Sequence, residues 1–282
     1  RGHPSRSDGM TTNPELVRAF FDRPVEAYAE DPEGPALHQI LLACLEAGTI
    51  RAATRGEDGT WTANAWVKQA ILAGFRRTAL AELEGPGFPM FDKTAYPPRH
   101  FGLGDGVRLV PGGSAVRRGA HVAKGVVIMP PAYVNVGAFV DEGTMVDSHA
   151  LVGSCAQIGR RVHLSAAAQI GGVLEPAGAR PVVVEDDAFV GGLVGLFEGI
   201  VVRKRAVLAS GVVLTGSTVI HDLVQGRELR QEVPEGAVVV PGSRPASGDY
   251  AKARGLQVAA PCIVKYRDDR TDAATALEQA LR

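Results

Sequence analysis

From residue 110 to residue 220 an aliphatic side chain returns at every sixth position, with one interruption, and few folds accept such a period. The first run is Val110, Val116, Val122, Ile128, Val134, Val140, Val146, Val152, Ile158, Leu164 and Ile170; the second is Val190, Leu196, Val202, Leu208, Leu214 and Ile220. A helix repeats at about 3.6 residues and a strand at about 2, so this period belongs to a solenoid whose side is one hexapeptide long. Two residues before the aliphatic the chain is small or β-branched, as at Ala120, Ala132, Ala138, Thr144, Ala150, Ala156 and Ala206, and that position also points inward. Glycine opens many hexads, at Gly113, Gly119, Gly125, Gly137, Gly143, Gly199 and Gly211, where a corner needs dihedrals that a Cβ resists. Three such sides close one coil. The two runs therefore predict about six coils of a parallel β-helix, stacked at about 4.8 Å.

The interruption lies between Ile170 and Val190, where GGVLEPAGARP (Gly171 to Pro181) carries turn formers that let a loop leave one corner. A loop leaving a rigid solenoid has only a neighbouring subunit or a ligand to pack on, so it is expected to wall an active site. Residues 10–90 are read as an N-terminal helical domain, with helices over 14–29, 35–48 and 63–83, a stop at Gly48, and a polar turn around Glu57 to Thr62. A linker rich in Pro, Gly and aromatics runs from Gly85 to Gly106. The solenoid domain is placed at 107–242, loosening after Asp222 and resuming at VPEGAVVVPG. A C-terminal segment over 243–282 holds a strand at CIVKY and a terminal helix at TDAATALEQALR. The stretch before Met10 reads as an expression remnant.

Composition suits a cytoplasmic enzyme. The 282 residues carry a net charge of -1 and 45% hydrophobic content, which gives no support to binding of nucleic acid or an anionic membrane, and no apolar stretch is long enough to span a bilayer. Cys44, Cys155 and Cys262 are odd in number and far apart, against a disulfide framework, and Cys155 reads as a small core or corner residue. There is no Walker loop, no dinucleotide fingerprint and no His/Cys cluster with zinc-ligand spacing, so no metal is expected.

The stretch MPPAYVNVGAFVDEGTMVDSHALVGSCAQIGRRVHLS, followed by IGGVLEP, closely resembles the tetrahydrodipicolinate N-succinyltransferase family of hexapeptide-repeat acyltransferases. The resemblance extends to WVKQAILAGFR, GVRLVPGGSAVRRGAHVA and PEGAVVVPG, and so to nearly the whole chain. It implies a left-handed β-helix, a homotrimer with active sites between adjacent solenoids, succinyl-CoA as donor and a small amino dicarboxylate as acceptor in lysine (diaminopimelate) biosynthesis. By the same resemblance Arg108 in GVRLVP matches the substrate-binding arginine, and Asp147 in GTMVDSHA matches the catalytic, substrate-contacting aspartate. The chemistry agrees: an attacking amine needs a base, and a guanidinium fork binds a carboxylate bidentately.

The chain also departs from the family. Where the family carries Gly-Ala-Arg-Ser-Glu-Val-Val-Glu-Gly, this chain reads GGLVGLFEG, with Leu193, Val194 and Gly195 in place of the arginine, the serine and a glutamate proposed to assist catalysis. Three polar groups are thus expected to be missing from the site, which points to a less polar or differently charged acceptor. His149, two residues after Asp147 where the family has a bulky aromatic, is a candidate second base. His163 in VHLS matches the family and reads as structural. For the coenzyme A phosphates the candidates are Arg203, Lys204 and Arg205, a consecutive basic cluster, with Lys265 further on. Two rivals to the lysine-pathway enzyme stay open: a paralogue that acylates another amine, and a catalytically silent trimer.

Overall fold

The structure is a computed structural model that describes residues 12–83, 90–268 and 273. The segment before Met10 and, apart from Ala273, the helix expected over 271–282 lie outside the described residues.

The hexads fold as a three-sided parallel solenoid, each coil giving one two-residue strand to each of three parallel faces. The first face begins with Arg108–Leu109 and continues through Val127–Ile128, Met145–Val146, His163–Leu164, Phe189–Val190 and Val207–Leu208. The second stacks Ala115–Val116, Tyr133–Val134, Leu151–Val152, Gln169–Ile170, Gly195–Leu196 and Val213–Leu214. The third stacks His121–Val122, Phe139–Val140, Gln157–Ile158, Val183–Val184, Val201–Val202 and Glu232–Val233. In each regular strand the first residue points out and the aliphatic second residue points in. The aliphatics and the small residues two places earlier together form one continuous core.

Both ends of the hexad pattern are corrected. Leu109, not Val110, pairs with Ile128, so Val110 stands one residue out of register and the corner Pro111–Ser114 absorbs the extra residue. Gly112 and Gly113, with φ of 140° and 95°, permit that longer turn. At the far end Ile220 is buried in the core, yet its strand Ile220–Asp222 turns back in an antiparallel hairpin with Arg227–Leu229. The third face is completed at that level by Glu232–Val233. The coil at Ala237–Val240 resumes as expected and is covered by the antiparallel strand Cys262–Tyr266.

The N-terminal region is less helical than its periodicity suggests. Helix α1 (Pro14–Phe21) leads through a short turn at Val25–Ala27 to α2 (Gly34–Ala47), and a hairpin pairing Ala53–Arg55 with Trp61–Ala63 joins α2 to α3 (Ala65–Arg77). α1 stops short of residue 29, and α3 ends six residues before its expected limit because Leu80–Leu83 pairs as a strand with Met90–Lys93. The alternation of Leu80 to Leu83 was hidden in a helical reading of the whole stretch. α2 ends as expected at Gly48, with φ of 75°. These elements dock on the third face. Arg51 lies over the ring of Phe139 at 3.7 Å and donates to Gln157 Oε1, His121 Nδ1 is hydrogen-bonded to Glu46 O at 2.9 Å, and Trp61 Nε1 donates to Glu185 Oε1. No helix among the described residues is long and apolar enough to cross a membrane.

Candidate active site

The edge between the first and second faces carries the two candidate bases. Asp147 follows the strand Met145–Val146 directly and is half-buried, its Oδ1 accepting the Ser148 N–H at 2.7 Å. His149 takes the left-handed corner conformation with φ of 62°; its N–H donates to Pro131 O and its carbonyl accepts from Gln169 Nε2. The imidazole is exposed and borders a shallow depression of about 360 Å³ over Tyr133, Leu151 and Gln169. Both side chains thus stand at one corner, free of the core. Arg108 is exposed at the start of the first face, two coils from Met145 in the same ladder, which is about 10 Å along the axis. Within one chain it does not share a corner with Asp147. His163 is half-buried on the first face, stacked on Phe189.

The opposite edge of the second face carries the loop over residues 171–182, which walls a cleft of about 790 Å³ with Phe197, Glu198 and Thr215. The expectation that the loop could pack only on a neighbour or ligand is overturned. Val173 N–H donates to Ser154 O, Leu174 packs into the core of the helical domain, and Arg180 Nε donates to Gly199 O. Lys68, fully buried in α3, donates its ammonium to Ala179 O. The helical domain therefore fastens the cleft wall from below. The signal for this was present in WVKQAILAGFR, where a lysine stands on the apolar face of a helix.

The three residues that depart from the family do not form one patch. Leu193 is a corner residue, 70% exposed, with φ of 60°. Val194 is at the inward small position of its hexad and is buried in the solenoid core, so its side chain faces no substrate. Gly195 takes the outward place in its strand, under the ring of Phe197. The expectation of three polar groups lost from one site is thus reduced to two positions, Leu193 at the corner above His149 and Ala167, and Gly195 beside it in the outward row of the second face.

The basic cluster lies elsewhere. The edge between the third and first faces alternates in sign from coil to coil: Asp141 and Glu142, then Arg160 and Arg161, then Glu185, Asp186 and Asp187, then Arg203, Lys204 and Arg205. Arg161 binds Asp187 through Nε at 2.7 Å and Nη2 at 2.8 Å, and Arg160 pairs with Asp141 at 3.5 Å. Arg203 is clamped by Glu185 and Glu232 and donates to Gly59 O, and those carboxylates hold its guanidinium further above the usual arginine range. Arg203 is therefore an anchor between solenoid and helical domain, not an available phosphate ligand. Arg205 donates to Asp268 O, while Lys204 is exposed. Lys265 pairs with Val238 on the sheet of the first face. This edge is opposite the second face, so in one chain the cluster does not border the loop-walled cleft. Cys155 sits at a corner with φ of 67°, and burial pushes its thiol up to about 12, which makes it no nucleophile.

A hexapeptide solenoid with a helical domain on one face and a loop-walled cleft defines the class, that of the hexapeptide-repeat acyltransferases. Residues 16–76 match the family model for the tetrahydrodipicolinate N-succinyltransferase N-terminal region, and residues 181–216 match the hexapeptide repeat of succinyl-transferases. A 2,3,4,5-tetrahydropyridine-2,6-dicarboxylate N-succinyltransferase of Rhodopseudomonas palustris is 47% identical over 97% of this chain and 99% of its own length. One from Azoarcus sp. is 46% identical over 86% and 87%. A Campylobacter jejuni crystal structure, named as a candidate 2,3,4,5-tetrahydropyridine-2-carboxylate N-succinyltransferase, shares the fold with a TM-score of 0.54 at 16% identity, covering 80% of this chain and 62% of that one. The chain belongs to the tetrahydrodipicolinate N-succinyltransferase family and is an acyltransferase with an acyl-CoA co-substrate and a small-molecule acceptor.

Proposed function

We propose that the chain transfers the succinyl group of succinyl-CoA to the amine of tetrahydrodipicolinate in its open-chain amino form, the lysine-pathway reaction. The observation that carries this reading is the 47% identity over 97% of the chain, a share that takes in both the solenoid and the helical domain. Asp147 is the base. As the amine nitrogen bonds to the thioester carbonyl, its proton passes to the carboxylate, a backbone N–H holds the oxyanion, and collapse breaks the C–S bond to release the thiol. His149, at the same corner, assists or replaces that base.

The working unit is a homotrimer of left-handed solenoids. The second face, like the lower part of the first, is left without a covering domain, and its outward row includes Tyr133, 36% exposed, and Val213, 52% exposed. A neighbour packed on it would carry its own Arg108 toward Asp147, where the guanidinium binds an acceptor carboxylate. Lys204 and Lys265 reach the coenzyme phosphates from a neighbouring chain. The enzyme is cytoplasmic. The test is thiol release from succinyl-CoA with L-2-aminopimelate, comparing the protein with its Asp147→Asn variant. The variant should lose about 10²- to 10⁴-fold in turnover while the melting temperature holds, because Asp147 lies outside the core. Unchanged turnover would remove Asp147 from the mechanism.

A further inference from the structure

Inside the cleft the ring of Phe197 is seated on two glycines from different coils. A Cβ on Gly195 would lie 2.6 Å from Cε2 of that ring, and one on Gly171 would lie 2.6 Å from Cδ1. Neither glycine is among those with positive φ, so backbone conformation does not account for the missing side chains. The ring does. Gly195 is level with Gln169 and Val213 in the outward row of the second face, and while the ring holds its place no side chain at 195 can enter the cleft. Phe197 is half-buried and lines the cleft. A carboxylate brought against the ring would give up hydration for a surface without a hydrogen-bond donor, whereas methylene or aryl groups would gain burial there.

We infer that Phe197, with its seats on Gly171 and Gly195, is a specificity-determining residue: it accepts an amine whose segment at this level is uncharged and rejects one that must place a carboxylate there. A dicarboxylate is taken only with its methylene chain along the ring and its charged ends elsewhere. The inference rests on the proposed acyl transfer and its trimer, in which a neighbouring chain brings its Asp147 corner to this cleft, since within one chain the two lie on opposite edges of the second face. It also makes residues 195 and 197 a pair, since a larger side chain at one requires a smaller one at the other.

The test is thiol release from succinyl-CoA with L-2-aminopimelate and with L-2-aminohexanoate, which lacks the second carboxylate, alongside calorimetric binding of each amine. Phe197→Val should shift the kcat/KM ratio of the two amines toward aminopimelate by about tenfold, the effect of about 1.4 kcal/mol. Phe197→Leu, which keeps an apolar filler, should stay near the parent ratio. Gly195→Glu should be inactive or unfolded, and Gly195→Glu combined with Phe197→Val should regain a folded, active enzyme. A ratio unchanged in folded Phe197→Val would overturn the inference and leave the reaction standing. Absence of thiol release with either amine would overturn the reaction, and the binding ratio would then decide the role of Phe197.

Discussion

His38 shows at the residue scale how a buried polar group writes a pH dependence into this protein. Its Nε2 lies 2.9 Å from the Tyr96 hydroxyl, and that hydroxyl donates its only proton to Ile71 O at 2.6 Å. His38 must therefore be the donor, which assigns the neutral Nε2–H tautomer. Burial, and then the charges of Arg77 and Arg118, push its pKa from 6.5 down to about 4. Below pH 6.5 the unfolded chain takes up a proton that the folded chain refuses. This share of stability is therefore whole above that pH and drains away as the pH falls toward 4, by about 3 kcal/mol in all. His38→Gln keeps a donor for Tyr96 and removes the titration. Urea midpoints for parent and variant should converge in slope above neutrality and diverge between pH 6.5 and 4, the parent losing more. Parallel curves would assign the acid sensitivity to other groups. Nothing in the sequence distinguishes His38 from any other histidine, because its partner Tyr96 is 58 residues away.

At the scale of the element, the corner is what the hexad builds and what limits it. Glycines at these turns have φ near 70–80°, and His149, Cys155, Ala167, Leu193 and Arg205 adopt the same left-handed region without the freedom of glycine. The period, the inward small residues and the corner glycines were all legible because each coil repeats the same local demand. The ends were not legible: Val110 and Ile220 keep the spacing by composition alone, and only pairing reveals that the register has slipped or the chain has turned away. The charge ladder was missed for a related reason. Comparison at six residues hides it, whereas comparison one coil apart places Arg161 opposite Asp187 and identifies Arg203 as one rung among several. Two corner substitutions separate conformation from packing. A Cβ on Gly211 meets nothing within 4 Å, so Gly211→Ala should cost only its left-handed backbone, about 1–2 kcal/mol. On Gly137 the same atom lies 2.8 Å from Cys155 Sγ and 3.0 Å from Ile71 Cδ1, so Gly137→Ala adds overpacking of about 1–3 kcal/mol. Thermal midpoints should fall in that order, and equal losses would show that the contact between solenoid and helical domain yields freely.

At the scale of the whole molecule the candidate site is divided, and the division carries the argument for assembly. Asp147 and His149 stand on one edge of the second face, the loop-walled cleft on the other, and Arg108 about two coils away on a different face. Motifs mark these residues but carry no information on which edge each one occupies, which is why Arg203 reads from the sequence as a phosphate ligand and Val194 as part of the site. Of the three faces, the third is closed by the helical domain; the strand Cys262–Tyr266 extends the sheet of the first, and Val264 and Ala273 pack on its upper outer side against Val207 and Val238. The second keeps an outward row of Ala115, Tyr133, Leu151, Gln169, Gly195 and Val213 with no charged residue in it. An uncharged row of this kind gains burial only from another chain, whereas a charge placed there would have to be desolvated against a partner. Light scattering at micromolar concentration should therefore give about three chain masses. Val213→Glu, at a position already 52% exposed in the single chain, should leave the fold intact while splitting the trimer and abolishing thiol release. A parent protein that stays monomeric would overturn the assembly, and with it the placement of Arg108 across a subunit boundary. A Val213→Glu variant that remains trimeric would move the interface to a different face.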